Sequence, residues 1–357
     1  MGKFFGIELV LHWSFVLFGL FFALLLLLFQ PHLFLPITVF FFFLFMSVFF
    51  HELAHSLVSL AYGIKVERIV LLPIGGIAMA EEMPEEPKKE LFIAVVGPVF
   101  NFAVVFTILL LVNFTNVPFP RDFASVDSTT FQQYILSYPL FGLFWANFIL
   151  GFFNLFLPAI PLDGGRVFRS LLAMKLGFYR ATRIAVRVSK FAAIGLFIVG
   201  FLGGSWIVLI VALLIFFGAQ QEEELGTAKY LLKGETIRRF VVPASVFPAN
   251  MSFEDAIREL VARNADCMVV RLKHGFAHVC LDDIVTMPSE QRTMLLGDVL
   301  SPLPELDVES QASRAFEKML THNLPLMPVV ECGELIGVVR AADLKRYYEY
   351  KRAMFLS

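Results

Sequence analysis

The sequence predicts a polytopic α-helical membrane protein of about six spans with a small β element, followed by a soluble α/β unit. Three observations carry this. Of the 357 residues, 58% are hydrophobic and 42 are phenylalanine, and the mean hydropathy of +0.74 exceeds what a water-soluble fold sustains. Apolar runs long enough to cross about 30 Å of hydrocarbon recur along the chain as far as Phe217. Beyond it, Gln220-Gln221-Glu222-Glu223-Glu224 opens a segment of ordinary soluble character. The expected domains are therefore a membrane domain at 1–219, a linker at 220–238 and a soluble domain at 239–350.

In chain order, spans are expected at 8–29, 35–61, 91–113 and 134–157, and two more share 191–217. The first run is too long for a signal-peptide core and lacks a small-residue cleavage site, so it is read as retained. Between the second and third spans, the β-branched stretch 65–79, turned by Pro73 and the pair Gly75-Gly76, reads as two short strands. The acidic stretch 81–90 reads as a solvated loop, and 113–133, with Pro118 and Pro120, as an extracytoplasmic one. Gly200, Gly203 and Gly204 divide the last apolar run into a hairpin, with one long helix as the alternative.

The net charge of −2 excludes little and no nucleic-acid partner is expected, but the distribution of cations is informative. With six spans, Lys3, Lys65, Arg68, Lys88, Lys89, Arg166, Arg169, Lys175, Arg180, Arg183, Arg187 and Lys190 fall on one side and only Arg121 on the other. The positive-inside rule assigns the first side, with the C-terminal segment, to the cytoplasm of a multi-pass cell-membrane protein. Cys267, Cys280 and Cys332 lie in that segment and are expected as reduced thiols.

The soluble segment repeats itself. A helix at 252–263, strands at 267–271 and 278–281 and a helix from Asp282 are followed by the same order at 313–322, 327–331, 335–340 and 342–350. Two βαββα-like halves are the economical reading.

Chemistry concentrates at His51-Glu52-Leu53-Ala54-His55. On a helix the imidazoles at i and i+4 share one face and can share a tetrahedral Zn²⁺, with Glu52 beside the metal's open position as general base. Ionisable groups at the end of an apolar span are costly unless paired or metal-bound. A third protein ligand is required, and Asp163, in Pro161-Leu162-Asp163-Gly164-Gly165, follows the same end of the fourth span. Taken alone it reads as a turn residue before two glycines; beside the two histidines it reads as the third ligand. Asn101 and Asn154 are candidate substrate-orienting groups, with interhelical hydrogen bonding the alternative. His12 and His32 are expected at the interface, and His274, His278 and His322 show no ligand spacing.

These residues resemble the site-2 proteases, the intramembrane zinc metalloproteases, over nearly the whole chain. His51-Glu52-Leu53-Ala54-His55 matches the family's HExxH, 158–165 is similar to its NxxPxxPxDG element, and Pro73-Ile74-Gly75-Gly76, Gly97-Pro98-Val99-Phe100-Asn101 and Glu8-Leu9-Val10-Leu11-His12 are similar to further motifs. The resemblance implies one zinc per chain on His51, His55 and Asp163, catalysis by Glu52, and membrane-spanning substrates cleaved within the lipid bilayer. Asn154 lies four residues before Pro158, where the family's asparagine lies three, a shift that turns a helical side chain by about 100°.

The soluble repeat looks like a pair of cystathionine-β-synthase-type (CBS) domains, on Asp298-Val299-Leu300-Ser301-Pro302 and Gly337-Val338-Val339-Arg340-Ala341-Ala342-Asp343. Such pairs often hold an adenine nucleotide through an aspartate three residues after Ser or Thr. Here Asp283 and Asp343 match the aspartate, while Cys280 and Arg340 stand at the hydroxyl position, Arg340 as a phosphate contact. A homodimerising or gating role is the alternative for the pair. For the whole chain, the alternative is a transporter or channel gated by the pair, with the HExxH as an ion site.

Overall fold

In the computed structural model, which describes every residue except 1–2, 5, 73–74, 81–84, 123–124, 288–290 and 357, the first elements are strands. Lys3–Phe4 (β1) pairs with Ile7–Leu11 (β2), so the expected first span starts as a helix only at Trp13–Phe29 (α1). The cause is non-local: β2 lies parallel to Val66–Leu72 (β3), Glu8 opposite Arg68 and Leu11 opposite Leu71, and its backbone groups are satisfied in that ladder. His12 caps α1, its ring accepting the Ser14 N–H at 3.3 Å.

The first compact unit runs from Met1 to Glu223. After α1 come Phe34–Ala61 (α2), β3, Gly75–Ala80 (β4), Pro87–Phe114 (α3), Ser128–Ser137 (α4), Pro139–Phe156 (α5), Asp163–Leu176 (α6), Phe178–Leu202 (α7) and Trp206–Leu231 (α8), the last crossing the unit boundary. Among the described residues five helices, α2, α3, α5, α7 and α8, are long and apolar enough to cross a membrane. The expected span missing from that set is the first, α1, whose 17 residues lie at the lower end of spanning length. The span expected from 134 is two helices, because Tyr138, held extended before Pro139, cannot continue α4. The α7–α8 hairpin turns at Gly203-Gly204, with Gly204 at φ +64°, a left-handed conformation that favours glycine. α7 begins at Phe178 rather than at 191.

The four-stranded sheet has the order β1-β2-β3-β4, with β3 antiparallel to β4. Both edges of β3 are thus occupied, and the open edge near the site belongs to β4. Pro73-Ile74 and 81–84 lie outside the described residues. Glu85 and Glu86 are exposed and non-helical, but from Pro87 the acidic stretch is helix α3 rather than loop, and Glu90 is buried. Glu90 Oε1 accepts from Arg169 Nε at 3.0 Å and its Oε2 from the Ser170 hydroxyl at 2.8 Å. Arg169 also pairs with Glu222 of α8. The carboxylate is tolerated inside because it is paired and hydrogen-bonded. α3 packs against α2, α5 and α6 through a stripe that includes Glu90, Ile93, Gly97, Asn101, Val105, Ile108 and Val112, the three-to-four spacing of one helical face.

The second unit, Glu224–Ser357, is built twice over. Val246–Pro248 (β5), Phe253–Ala262 (α9), Cys267–Arg271 (β6), Phe276–Cys280 (β7) and Leu281–Val285 (α10) form one half. After the short Leu296–Val299 (α11), Leu306–Asp307 (β8), Ala312–Thr321 (α12), Leu326–Glu331 (β9), Glu334–Arg340 (β10) and Ala341–Leu356 (α13) form the other. In each, the first strand lies parallel and the third antiparallel to the second. Ser252 caps α9 by accepting the Asp255 N–H at 3.1 Å. The segment expected as a linker is largely helical, and Ala228, Leu231, Leu232 and Ile237 are buried in this unit's core. The thiol expectation is also corrected. β6 and β7 set Cys267 opposite Cys280, and the two form a disulfide with Cα atoms 4.0 Å apart, a juxtaposition made by strand register rather than by sequence spacing. Cys332 is free and exposed.

Candidate metal centre

His51 and His55 project from one face of α2, their Nε2 atoms 3.1 Å apart. Asp163 opens α6, and its Oδ2 lies 3.2 Å from each of those nitrogens. The approach depends on glycine. A Cβ on Gly164 would stand 2.4 Å from the Leu157 carbonyl, and one on Gly165 would stand 2.3 Å from the Ile160 nitrogen, so only glycines let α6 start against the loop that leaves α5. The Ile160 N–H donates to Ser189 Oγ at 2.7 Å, tying that loop to α7.

The three donor atoms fit a zinc ion. Bonds of about 2.0–2.1 Å in a tetrahedron place ligand atoms about 3.3 Å apart, close to the 3.1 and 3.2 Å separations here. Two imidazoles and one carboxylate are a zinc donor set that leaves one position for water or substrate.

Each imidazole is turned by its other nitrogen. His55 Nδ1–H donates to the Ile93 carbonyl at 2.6 Å; a carbonyl only accepts, so Nε2 is left as the unprotonated ligand atom. His51 Nδ1–H donates to Asn101 Oδ1. The chain of contacts continues from Asn101 Nδ2 to Asn147 Oδ1 at 2.9 Å and from Asn147 Nδ2 to Ser47 Oγ at 3.1 Å. Asn101 and Asn147 are wholly buried.

Glycines also shape the walls. A Cβ at Gly97 would stand 2.2 Å from His55 Nε2 and 2.8 Å from His51 Cε1, and one at Gly76 of β4 would stand 2.6 Å from Glu52 Cγ. The open-edged strand therefore runs against the proposed base.

Of the residues singled out in the sequence, the fold brings together His51, His55, Asp163 and Asn101, with Glu52 on the same helical turn. Asn101, expected to orient substrate or to bond between helices, makes interhelical hydrogen bonds to His51 and Asn147. Asn154 is half-buried and makes no side-chain hydrogen bond among the described residues. Asn147 and Ser47 were missed; the signal available was a polar side chain inside an apolar span. In the second unit, Arg340 Nε pairs with Asp343 at 2.6 Å, so each engages the other. Asp283 stands on the other half, 3.9 Å from His278.

Comparison with known proteins identifies the family. The family model described as peptidase family M50 matches residues 39–198, and that of the CBS domain matches 296–350. The chain is 35% identical over 311 residues to the zinc metalloprotease MJ0392 of Methanocaldococcus jannaschii, covering 87% of this chain and 84% of that protein. It is 27% identical over 328 residues to the putative zinc metalloprotease Rip3 of Mycobacterium tuberculosis, covering 86% and 79%. Among solved structures it is similar to the site-2 protease from Methanocaldococcus jannaschii, at 34% identity, 62% of this chain, 94% of that one and a TM-score of 0.46.

Proposed function

The chain belongs to peptidase family M50, the zinc metalloproteases of site-2 type, and on that premise we propose that it hydrolyses peptide bonds in or beside the transmembrane segments of membrane-protein substrates. The observation that carries this is the triangle of His51, His55 and Asp163 donor atoms, with both histidines inside the span-length helix α2. The enzyme class sets aside the transporter reading.

His51, His55 and Asp163 would hold the zinc ion, which when bound supplies Lewis acidity toward a carbonyl and lowers the pKa of water. Glu52 accepts a proton from the attacking water and returns it to the leaving amine. Asn101 is a positioning residue: it fixes the ring plane and tautomer of His51. A transmembrane helix presents no free peptide faces, so the segment to be cut must unwind. β4 offers its open edge for strand addition, and Gly76 brings that strand against Glu52.

The cation asymmetry supports a cytoplasmic face for Arg180 and the C-terminal unit and an outside face for Arg121. Labelling by an impermeant thiol reagent of a cysteine placed at position 121, but not at position 180, checks this. The CBS-type unit is proposed to modulate cleavage, through an adenine nucleotide near Asp283 and Asp343 or through homodimerisation; titration with ATP, ADP and AMP, repeated on Asp343→Ala, separates the two.

The direct test is co-expression with tagged single-span substrates. Glu52→Gln should keep zinc and lose cleavage, and Asp163→Asn should lose most of the metal. Full zinc in Asp163→Asn would remove the third ligand from the scheme.

A further inference from the structure

The second unit holds a cluster of metal-binding side chains that sequence spacing conceals. The β6–β7 register sets Cys267 opposite Cys280 and Val269 opposite His278. Alternate residues of a strand share a face, so Cys267, His278 and Cys280 stand on the side of the hairpin opposite Met268, Val270, Ala277 and Val279, which enter the core. Cys280 is also the N-cap of α10, and the first turn of that helix carries Asp283. As a result a ring nitrogen of His278, the Cys280 sulfur and a carboxylate oxygen of Asp283 all lie within 4.8 Å of one another. The second sulfur is that of Cys267, bonded to Cys280 Sγ. The His278 side chain is only 18% exposed, yet its Nδ1 is enclosed without a hydrogen-bond partner, unusual for a buried imidazole. Asp283 approaches the other nitrogen only to 3.9 Å, beyond hydrogen-bond reach.

We propose that, once the Cys267–Cys280 bond is reduced, Cys267, Cys280, His278 and Asp283 form a second site for a zinc-class divalent ion, separate from the His51, His55 and Asp163 centre. Two thiolates, an imidazole and a carboxylate select zinc-like ions over magnesium or calcium. Metal–sulfur bonds of about 2.3 Å put two tetrahedral sulfurs about 3.8 Å apart, within reach of opposed residues on neighbouring strands. The step balances. A thiol reductant of the glutathione or dithiol class delivers two electrons, the S–S bond breaks, and the reductant leaves as its own disulfide. The two new thiols release their protons as the ion binds. The oxidation state of one cross-strand pair thereby decides whether the ion ties the β6–β7 hairpin to α10.

Cobalt(II) is the probe, with the detergent-solubilised full chain reduced by a phosphine. Thiolate-bound cobalt gives an intense near-ultraviolet charge-transfer band, which a site of two imidazoles and a carboxylate lacks. Reduced wild type should show the band and take up two cobalt ions per chain, against one when oxidised. Cys280→Ser should lose the band and one ion, and His278→Ala, which retains both cysteines, should weaken the band. Asp163→Asn should keep the band while losing the other ion, and Cys332→Ser should change nothing. A reduced protein with its thiols shown free by titration and no band overturns the proposal, as does a band that survives Cys280→Ser or vanishes in Cys332→Ser.

Discussion

Alanine at Gly97 tests how the metal centre is built. The added methyl carbon would stand 2.2 Å from His55 Nε2, 1.2 Å short of the 3.4 Å at which ordinary contact begins. His55 has no room to swing aside, because its Nδ1 is held by the Ile93 carbonyl at 2.6 Å, on the same helix that carries the intruding methyl. Nor can α3 draw back without releasing His51 from Asn101, one turn further on. The mismatch therefore falls on the ligand geometry. Misplacing a reacting group by about 1 Å costs on the order of 100-fold in rate, and a displaced imidazole also weakens metal retention. In liposomes containing a tagged single-span substrate, Gly97→Ala should cut at least about 100-fold more slowly than wild type. Metal analysis of the same preparation should show zinc below one per chain. Gly195→Ala, on α7, is the control, since a Cβ there meets nothing within 4 Å. If folded Gly97→Ala kept full zinc and wild-type cleavage, the idea that α3 presses on the two imidazoles would be refuted.

Three further outcomes are expected. Asn101→Ala should lower zinc affinity about 10- to 100-fold in a chelator competition without abolishing cleavage at saturating zinc; unchanged affinity would deny its hold on His51. Arg169→Met should destabilise the first unit by roughly 3–5 kcal/mol, because it strands Glu90 inside without its cation. Replacing Glu90 by leucine in the same chain should recover most of that loss in detergent unfolding. In the second unit, the Tyr347 hydroxyl, followed by Lys351 and Arg239, holds the Glu235 carboxyl at about 2, below its ordinary 4.5. The unfolded chain takes up that proton first, so this contribution is complete above about 4.5 and is lost as pH falls toward 2. Hydrogen exchange of the intact chain should show that slope, and Glu235→Gln should flatten it.

Local signals carried much of the fold. The HExxH spacing places two rings on one helical face, apolar length marks α2, α3 and α5, and Gly203-Gly204 marks the α7–α8 turn. The meeting of Asp163 with the histidines was expected from a shared end of their spans; the structure brings them together with both histidines inside α2, which continues to Ala61. What was illegible depends on partners distant in sequence. β2 reads as part of a span because its ladder partner lies some sixty residues on, at Arg68 to Leu71. Glu90 reads as solvated because Arg169 and Ser170 are unseen from its neighbourhood. The disulfide follows from strand register. Asn147 was legible in principle as a polar residue in an apolar helix, but the family's asparagine drew attention to Asn154 instead.

The stripe Ile93, Gly97 and Asn101 on α3 also bears on how the chain is made. During synthesis α2 emerges first, bearing the two histidines and the proposed base without the proposed third ligand and with nothing to orient either ring. The carbonyl and amide that orient the rings arrive with α3, Asn147 arrives with α5, and the closing carboxylate arrives only with residue 163. On the proposed ligand set, a nascent chain threading into the bilayer among other unfolded spans therefore cannot assemble a complete metal site. Its capacity to cut appears only after α3 and α6 have docked, when its own spans are already wound and out of reach.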